Sequence, residues 1–227
     1  MNNLEFLNEN KSIDAVDRFY ESRYKNRTYL GLSECGHPCK RYIWYVYNNL
    51  KKPVPKGRIL RLFQLGNLIE TQVYLDLVSS GFTVFDMQQK VKFTQGNLNL
   101  VGHIDGKIKG LLESSKDHLW ECKSIGSKGW AKLLKEGYEK YSEQYKWQLQ
   151  FYMLGTGLKR AFVTVYNKDT SELYQERVKL RRKETIKKLN QVFEIIESKT
   201  CPEKKLCPRQ DYYLAKFCSF KEVCWRN

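Results

Sequence analysis

Three residues in two short segments carry the strongest chemical signal in the chain. Asp105 lies in the segment Gly-His-Ile-Asp-Gly, and Glu121 and Lys123 flank Cys122 in the segment Glu-Cys-Lys. Residues two apart on a strand point to the same face, so Glu121 and Lys123 are expected to project together. Neighbouring antiparallel strands lie ~5 Å apart, which lets Asp105 converge on Glu121. The pattern predicts two carboxylates and one ammonium group at a single point.

Two carboxylates with little nitrogen ligation suit Mg²⁺ or Mn²⁺, which prefer oxygen ligands. Such an ion can polarise a phosphodiester oxygen and activate a water molecule. Lys123 could hold that water or neutralise charge on the phosphate. The competing interpretation is an ordinary surface ion pair between Glu121 and Lys123, or a solvated lysine.

Two further positions depend on helical spacing. Glu70 follows Gly66 by four residues, so the two share a helix face, and Glu70 is either a third metal ligand or a plain surface glutamate. Gln148 and Tyr152 are also four apart. Their amide and phenol could hydrogen-bond to a phosphate or to a metal-bound water. The alternative is the polar edge of an amphipathic helix.

The charge balance points to a polyanionic partner. The 227 residues include 40 Lys and Arg against 25 Asp and Glu, a formal net charge of +15. Nucleic acid is a more frequent partner of such a chain than a membrane surface, although a charge that serves solubility alone is the alternative. Aromatic residues make up 14% and argue against disorder. The first twelve residues show no secretory signal, and no apolar run reaches ~20 residues, so a soluble, intracellular, cytoplasmic protein is expected.

The cysteines form two groups at opposite ends of the sequence. Cys35 and Cys39 lie near the start, and four lie after residue 200: Cys201, Cys207, Cys218 and Cys224. A disulfide framework is improbable in a cytosolic chain. Soft thiolates suit an iron–sulfur cluster or zinc, which would tie the tail to the N-terminal region, and unligated thiols are the alternative. Cys122 stands alone in a strand and is predicted to be a buried small hydrophobe.

Periodicity predicts the elements that position these residues. Helices are expected over 13–24, 38–49, 58–77, 128–137, 141–156 and 181–198. Strands are expected over 82–94 (one long strand or a pair), 98–108, 118–125, 159–167 and 172–180. This order predicts an α/β or α+β core with a mixed central sheet flanked by helices.

Taken together, the motifs resemble the PD-(D/E)XK nuclease superfamily in its RecB-like branch. Gly-His-Ile-Asp-Gly looks like its metal-binding aspartate motif, and Glu-Cys-Lys like its (D/E)xK motif. Gln148 to Tyr152 matches its QxxxY motif, and Gly66 to Glu70 its upstream element, with Glu70 in the place of a histidine. The resemblance covers about residues 28–225 and extends to phage-encoded exonucleases. It implies an N-terminal helical region over 1–57, a nuclease core over 58–199 and a cysteine-rich tail over 200–227.

The resemblance also implies roles for individual residues. Glu70, Asp105 and Glu121 are expected to bind one or two Mg²⁺ or Mn²⁺ ions, with the Cys122 carbonyl as a further ligand. Lys123 is expected to be the catalytic lysine. Gln148 and Tyr152 are expected to orient the DNA together with Lys123.

Many relatives, including CRISPR-associated exonucleases, hold a [4Fe-4S] cluster through one early cysteine and three late ones. Cys39, Cys218 and Cys224 match this pattern, whereas Ala215 stands where the relatives have a cysteine. Cys207 is then expected to complete the set, with Cys201 or Cys35 as substitutes and zinc as an alternative to the cluster.

The expected function is metal-dependent exonuclease activity on single-stranded DNA or duplex ends, in phage DNA replication or recombination. Two alternatives stay open: a structure-specific endonuclease, and a non-catalytic DNA-binding module of the same fold. The sequence leaves open the polarity of digestion and the oligomeric state.

Overall fold

The computed structural model describes residues 11–50, 52–203 and 205–226. The expectation that no secretory signal is present falls mainly on the first ten residues, outside this part. The helices are α1 (Lys11–Arg23), α2 (Leu32–Cys35), α3 (Lys40–Tyr47), α4 (Gly57–Ser79), α5 (Ser127–Glu136), α6 (Tyr138–Tyr141), α7 (Glu143–Thr156), α8 (Arg182–Glu197), α9 (Tyr213–Lys216) and α10 (Lys221–Arg226). The strands are β1 (Thr83–Phe85), β2 (Lys90–Gln95), β3 (Leu98–His103), β4 (Gly106–Lys109), β5 (His118–Ile125), β6 (Arg160–Asn167) and β7 (Leu173–Lys179).

Five strands form the central sheet in the order β1-β4-β5-β6-β7. Strands β5 and β6 are parallel, and the other neighbouring pairs are antiparallel. The parallel pair requires a crossover, which α5, α6 and α7 supply. Strands β2 and β3 form a separate antiparallel hairpin. The predicted mixed α/β architecture is confirmed.

The two faces of the sheet are covered by different helices. On one face, Ile69 and Val73 of α4 join Trp120 and Cys122 of β5 in a small buried cluster. On the other face, a larger core combines apolar residues from several helices and strands, including Leu149, Phe151, Val163, Val192 and Phe193. The alternation of β5 therefore sends Cys122 toward α4 and Glu121 toward α7. The prediction that Cys122 is a buried small hydrophobe is confirmed, with 6% of its surface exposed.

Helix α4 matches the expected long helix and is followed by Gly81, whose φ of 92° suits glycine. The region predicted as strand over 82–94 is a pair, divided by Asp86 and Gln88, which both have positive φ.

The prediction of one continuous strand over 98–108 is wrong. The chain leaves the hairpin after His103 and enters the central sheet at Gly106, so β3 and β4 belong to different sheets. Asp105 lies in the two-residue break between them. Continuous alternation could not reveal this change of partner, because both strands have the same period.

The N-terminal region and the tail contact each other. Arg41 donates to the Pro202 carbonyl in the tail at 3.1 Å, and the indole Nε1 of Trp44 donates at 2.9 Å to the carbonyl of Ser198, just before the tail. Phe220 is buried beside Tyr42 and Tyr45 of α3. The division into three parts stays a prediction. In the part of the chain that the structure describes, no helix is both long and apolar enough to cross a membrane.

Candidate active site

The pairing of β4 with β5 brings Asp105 and Glu121 together. Gly106 lies opposite Trp120, so the residue before Gly106 falls beside the residue after Trp120. The Cys122 backbone N–H donates to Asp105 Oδ2 at 2.8 Å. This hydrogen bond ties the aspartate at the strand break to the centre of β5. The expected convergence of the two carboxylates therefore follows from strand pairing.

Glu121 is fully buried and held from two sides. Lys123 Nζ forms a close ion pair with Glu121 Oε1, and Gln148 Nε2 donates to the same oxygen at 2.7 Å. The other carboxylate oxygen, Oε2, is buried without a hydrogen-bond partner in the structure. An unpaired buried carboxylate oxygen is costly unless a cation or donor satisfies it. Lys123 and Gln148 therefore hold Oε1 of Glu121 in place, whereas Oε2 has no partner in the structure.

Burial and mutual repulsion shift the titration of the acidic groups. Burial, and after it the nearby charge of Asp105, raise the pKa of Glu121 to about 8. Burial also raises the pKa of Asp105. Burial alone would lower the pKa of Lys123, but the charges of Glu121 and Asp105 outweigh it and hold that pKa well above its usual value. Lys123 therefore stays protonated.

Glu70 approaches the same point from α4. Its pKa is raised to about 7 by burial and by the charge of Asp105, and the charge of Lys123 acts in the opposite direction. Gln88 Nε2 donates to Glu70 Oε1 at 3.3 Å. A Cβ at Gly66 would lie 3.7 Å from Ser124 Oγ, so this turn of α4 lies close to the end of β5. We call Glu70, Asp105, Glu121 and Lys123 the carboxylate cluster.

Gln148 and Tyr152 lie on the buried side of α7, where they have different neighbours. Gln148 contacts Glu121 directly, as described above. Tyr152 is 3% exposed and packs against Gly102, where an added Cβ would come 2.7 Å from the tyrosine ring. Burial, followed by the charge of Glu121, raises the pKa of the Tyr152 phenol. The structure thus places Gln148 against the carboxylate cluster and Tyr152 against the strand that leads to Asp105.

Two tyrosines at the cluster were not predicted from the sequence. The Tyr138 hydroxyl is buried without a partner in the structure, and burial and the charge of Glu121 raise its pKa. The Lys123 ammonium lies 5.4 Å from the centre of the Tyr145 ring. The available signal was the spacing of Tyr138, Tyr141 and Tyr145 by three and four residues, which places three rings on one side of neighbouring helical turns.

The donor set of the cluster fits a hard divalent cation in its chemistry. Its oxygens come from carboxylates that repel one another, and the orphaned Glu121 Oε2 is an unsatisfied acceptor. Oxygen donors with excess negative charge are what Mg²⁺ and Mn²⁺ bind. Within residues 11–50, 52–203 and 205–226, however, no three His, Cys, Asp or Glu side chains are arranged to hold a metal ion. The carboxylates therefore lie near one another but are not arranged as a complete set of metal ligands.

Four cysteines line one cleft between the N-terminal region and the tail. Cys39, Cys207, Cys218 and Cys224 are among the residues that line a cleft of about 280 Å³, which we call the cysteine cleft. Burial raises the pKa of the Cys218 thiol, and Cys39 and Cys224 are close enough to raise it further. Burial, followed by the nearby Cys39, Cys218 and Cys224, also raises the pKa of the Cys207 thiol. Ala215 also lines the cleft.

The other two cysteines of the terminal groups lie elsewhere. Cys35 is fully buried, and its thiol donates to the Gly31 carbonyl at 3.4 Å. Cys201 lies beside Tyr45 and Arg41. Neither lines the cysteine cleft, whereas His37 does, and His37 Nδ1 accepts the Cys39 backbone N–H at 3.0 Å.

No protein-family model and no curated protein matches the chain. Solved structures do match. One is the crystal structure of SSO0001, with a TM-score of 0.55 and 14% identity over 95% of this chain and 97% of that one. Another is an alkaline exonuclease, LHK-Exo, from Laribacter hongkongensis, with a TM-score of 0.51 and 11% identity over 81% and 91%. The same enzyme in complex with dAMP matches with a TM-score of 0.51 and 13% identity, over 81% of this chain and 92% of that one.

These identities are low, so the likeness shows the fold alone. The mixed α/β core of the chain is similar in fold to that of the alkaline exonuclease, and the carboxylate cluster lies along β5 between α4 and α7.

Proposed function

We propose that this protein is a metal-dependent deoxyribonuclease that hydrolyses phosphodiester bonds at DNA ends, of the RecB-like exonuclease type. The observation that carries the proposal is the buried Glu121, paired with Lys123, supported by Gln148 and adjacent to Asp105. If Glu121 and Lys123 formed only a structural ion pair, Glu70 and Asp105 would not be needed beside it, and both have raised pKa values. Perturbed carboxylates that cluster beside a lysine are typical of catalytic sites. The exonuclease activity of a structural neighbour supports the same assignment.

Glu70, Asp105 and Glu121, with the Cys122 carbonyl, would hold Mg²⁺ or Mn²⁺, which when bound polarises the phosphodiester and lowers the pKa of a bound water. Lys123 remains protonated and provides positive charge for the phosphate oxygens in the transition state. Gln148 keeps Glu121 in one orientation through its amide, and we propose it as a positioning residue. Tyr152 supports the backbone at Gly102, two residues from the break that contains Asp105.

Three proteins test the chemistry: the wild type, Glu121→Gln and the matched surface variant Glu136→Gln. Labelled single-stranded and duplex DNA are incubated with each protein in Mg²⁺, in Mn²⁺ and in EDTA. We expect the wild type and E136Q to degrade DNA only with a cation, and E121Q to lose at least about 10³-fold in rate, since a metal site contributes several kcal/mol. Equal degradation by all three would reveal a contaminating nuclease and refute the proposal.

Covalently closed circular DNA separates the exonuclease from the alternatives. An exonuclease leaves the circle intact and degrades it after linearisation, whereas an endonuclease opens it. Retention of DNA without cleavage in either metal would favour the non-catalytic binding module. We also propose a role in phage DNA replication or recombination, for which the sequence resemblance is the support. Substrates with defined blocked ends would establish the polarity of digestion.

For the cysteine cleft we propose a [4Fe-4S] cluster, with zinc as the alternative, bound by Cys39, Cys207, Cys218 and Cys224. The support is that thiols far apart in sequence line one cleft, and that thiolates suit both iron–sulfur clusters and zinc. Because Ala215 lines the same cleft, Cys207 can take the place of a cysteine at that position.

The test is the iron and zinc content of protein purified without oxygen. We expect Cys207→Ala to lose the metal, Cys201→Ala to keep it, and the double variant C207A/A215C to regain part of it. A colourless wild type without iron or zinc would remove this proposal and leave the nuclease proposal untouched.

A further inference from the structure

Helix α1 is attached to α4 mainly through polar contacts. Arg61 of α4 forms an ion pair with Asp17, and the Gly57 backbone N–H donates to Glu21 Oε1 at 2.7 Å. The Tyr20 hydroxyl donates to Gln64 Oε1 at 2.7 Å. No residue of α1 is buried. The apolar side chains of Ile13, Val16 and Phe19 are instead exposed on its surface.

A groove of about 440 Å³ lies between α1 and α4, and we call it the α1–α4 groove. Phe19 borders it with 52% of its surface exposed, and the Arg23 guanidinium lies 4.6 Å from the centre of that ring. Tyr24 lines the same groove. An exposed ring with a cation beside it is a platform for a nucleobase and its phosphate.

The groove has one sign of charge. Arg23 is the charged residue among its lining side chains in the described part, and no carboxylate lines it. The acidic residues Asp17 and Glu21 are instead turned toward α4. The chain as a whole carries a net charge of +15, and Arg23 supplies the positive charge that a phosphate would meet in this groove.

The groove also leads toward the carboxylate cluster. Asn67 of α4 lines the groove, and Glu70 follows it by three residues, which is ~5 Å along a helix axis. Residues three apart share a helix face, so the two side chains point to the same side of α4. The groove therefore reaches the turn of α4 that precedes Glu70.

We propose that the α1–α4 groove binds an unpaired single strand of DNA, with Phe19 stacking on a base and Arg23 contacting a phosphate. The inference rests on the proposed function, because it deepens the substrate class of that same site. Single-stranded DNA is the occupant because only unpaired bases offer their faces to an aromatic ring. A duplex end would have to fray before it could enter.

Binding is measured in EDTA, without cleavage, using a single-stranded oligonucleotide that carries a fluorescent adenine analogue. The variants are Phe19→Ala, Phe19→Leu and Arg23→Ala, with Ile13→Ala as the matched control. Ile13 is an exposed apolar residue of α1, 59% exposed, that does not line the groove. Circular dichroism of each variant checks that the fold is intact.

We expect F19A and F19L to weaken binding about tenfold, since stacking on one base has this magnitude. Both should lose the change in fluorescence that stacking causes, because leucine has no ring. R23A should reduce the dependence of log K on log salt by roughly 0.7, the value for one phosphate contact on a single strand. I13A should behave as the wild type.

Three results would overturn the inference. The first is equal affinity of the wild type, F19A and R23A. The second is a wild-type dimer in light scattering that F19A dissociates, which would assign the groove to a second copy of the chain. The third is equal loss with F19A and I13A. A wild type that binds through the groove but cleaves nothing would instead defeat the proposed function and leave this inference standing.

Discussion

The carboxylate cluster and the cysteine cleft are built in opposite ways. The cluster lies on neighbouring strands, and backbone and side-chain hydrogen bonds hold Asp105 and Glu121 in place. The cleft joins Cys39 to three cysteines of the tail, where the helices are short. The first arrangement belongs to the core, whereas the second depends on two segments that are far apart in sequence.

This difference shows where each site obtains its geometry. At the cluster, folding itself brings like charges together, and the cost appears as the raised pKa values of Glu70 and Glu121. At the cleft, neutral thiols meet without repulsion, so a bound metal would supply the geometry that hydrogen bonds do not. We expect the cluster to be rigid but strained without its cation, and the cleft to be stabilised by its ligand.

The largest expected effect is on stability when Lys123 is replaced. Lys123→Met leaves Glu121 and Asp105 buried without a counter-charge and should destabilise the metal-free protein by about 3 kcal/mol. Urea unfolding in EDTA measures this change, and Cys218→Ser should change the same value by less than about 1 kcal/mol. Comparable losses of unfolding free energy in K123M and C218S would show that the cluster and the cleft do not differ in this way.

The second prediction concerns the orientation of Glu121. Gln148→Leu removes the amide that holds Oε1, and we expect kcat on DNA to fall between about tenfold and a hundredfold, as for partners that position metal ligands. Because the variant removes positioning rather than substrate contact, KM should change by less than about threefold. A large rise in KM with unchanged kcat would show instead that Gln148 binds DNA.

The third prediction tests the cleft. Removing the metal from the purified holoprotein with a chelator should speed trypsin cleavage within residues 200–226 about tenfold, because ligand binding stabilises the folded form of its site. Residues 58–199 should resist cleavage equally with and without the chelator. Mass spectrometry of the fragments locates the cuts, and an unchanged tail would count against a structural metal there.

The smallest effect is a dependence on pH at Glu70. Its pKa is raised from 4.5 to about 7, so the folded state disfavours its ionisation, and wild-type stability decreases as the pH rises through this interval. In EDTA, Glu70→Gln should therefore be more stable than the wild type by about 1 kcal/mol at pH 8, after allowance for solvent screening, and equal to it near pH 4.

Unfolding curves at the two pH values, repeated with Mn²⁺, measure this difference. Added Mn²⁺ should stabilise the wild type more than E70Q. Equal stability of the two proteins at both pH values in EDTA would show that neither burial nor the charge of Asp105 disfavours the ionisation of Glu70.

Much of the fold could be predicted because its elements have strong local signals. The long helix α4, the hairpin of β6 and β7 and the helix α8 have clear periods and clear turns. The break at Asp105 could not be predicted, because it depends on which strand pairs with β4. Tyr138 was missed because its hydroxyl becomes significant only once α6 lies over Glu121.

The sequence alone determined which chemical groups are present and in what order: three carboxylates, a lysine two residues from one of them, and cysteines at both ends. Local periodicity also determined the helices and strands that carry them. Only the tertiary structure decided that Gln148 donates a hydrogen bond to Glu121, that Cys207 rather than Cys201 lines the cleft, and that α1 forms a groove with α4. These contacts join residues that are distant in sequence. Strand pairing and burial determine them, and local helix or strand propensity does not.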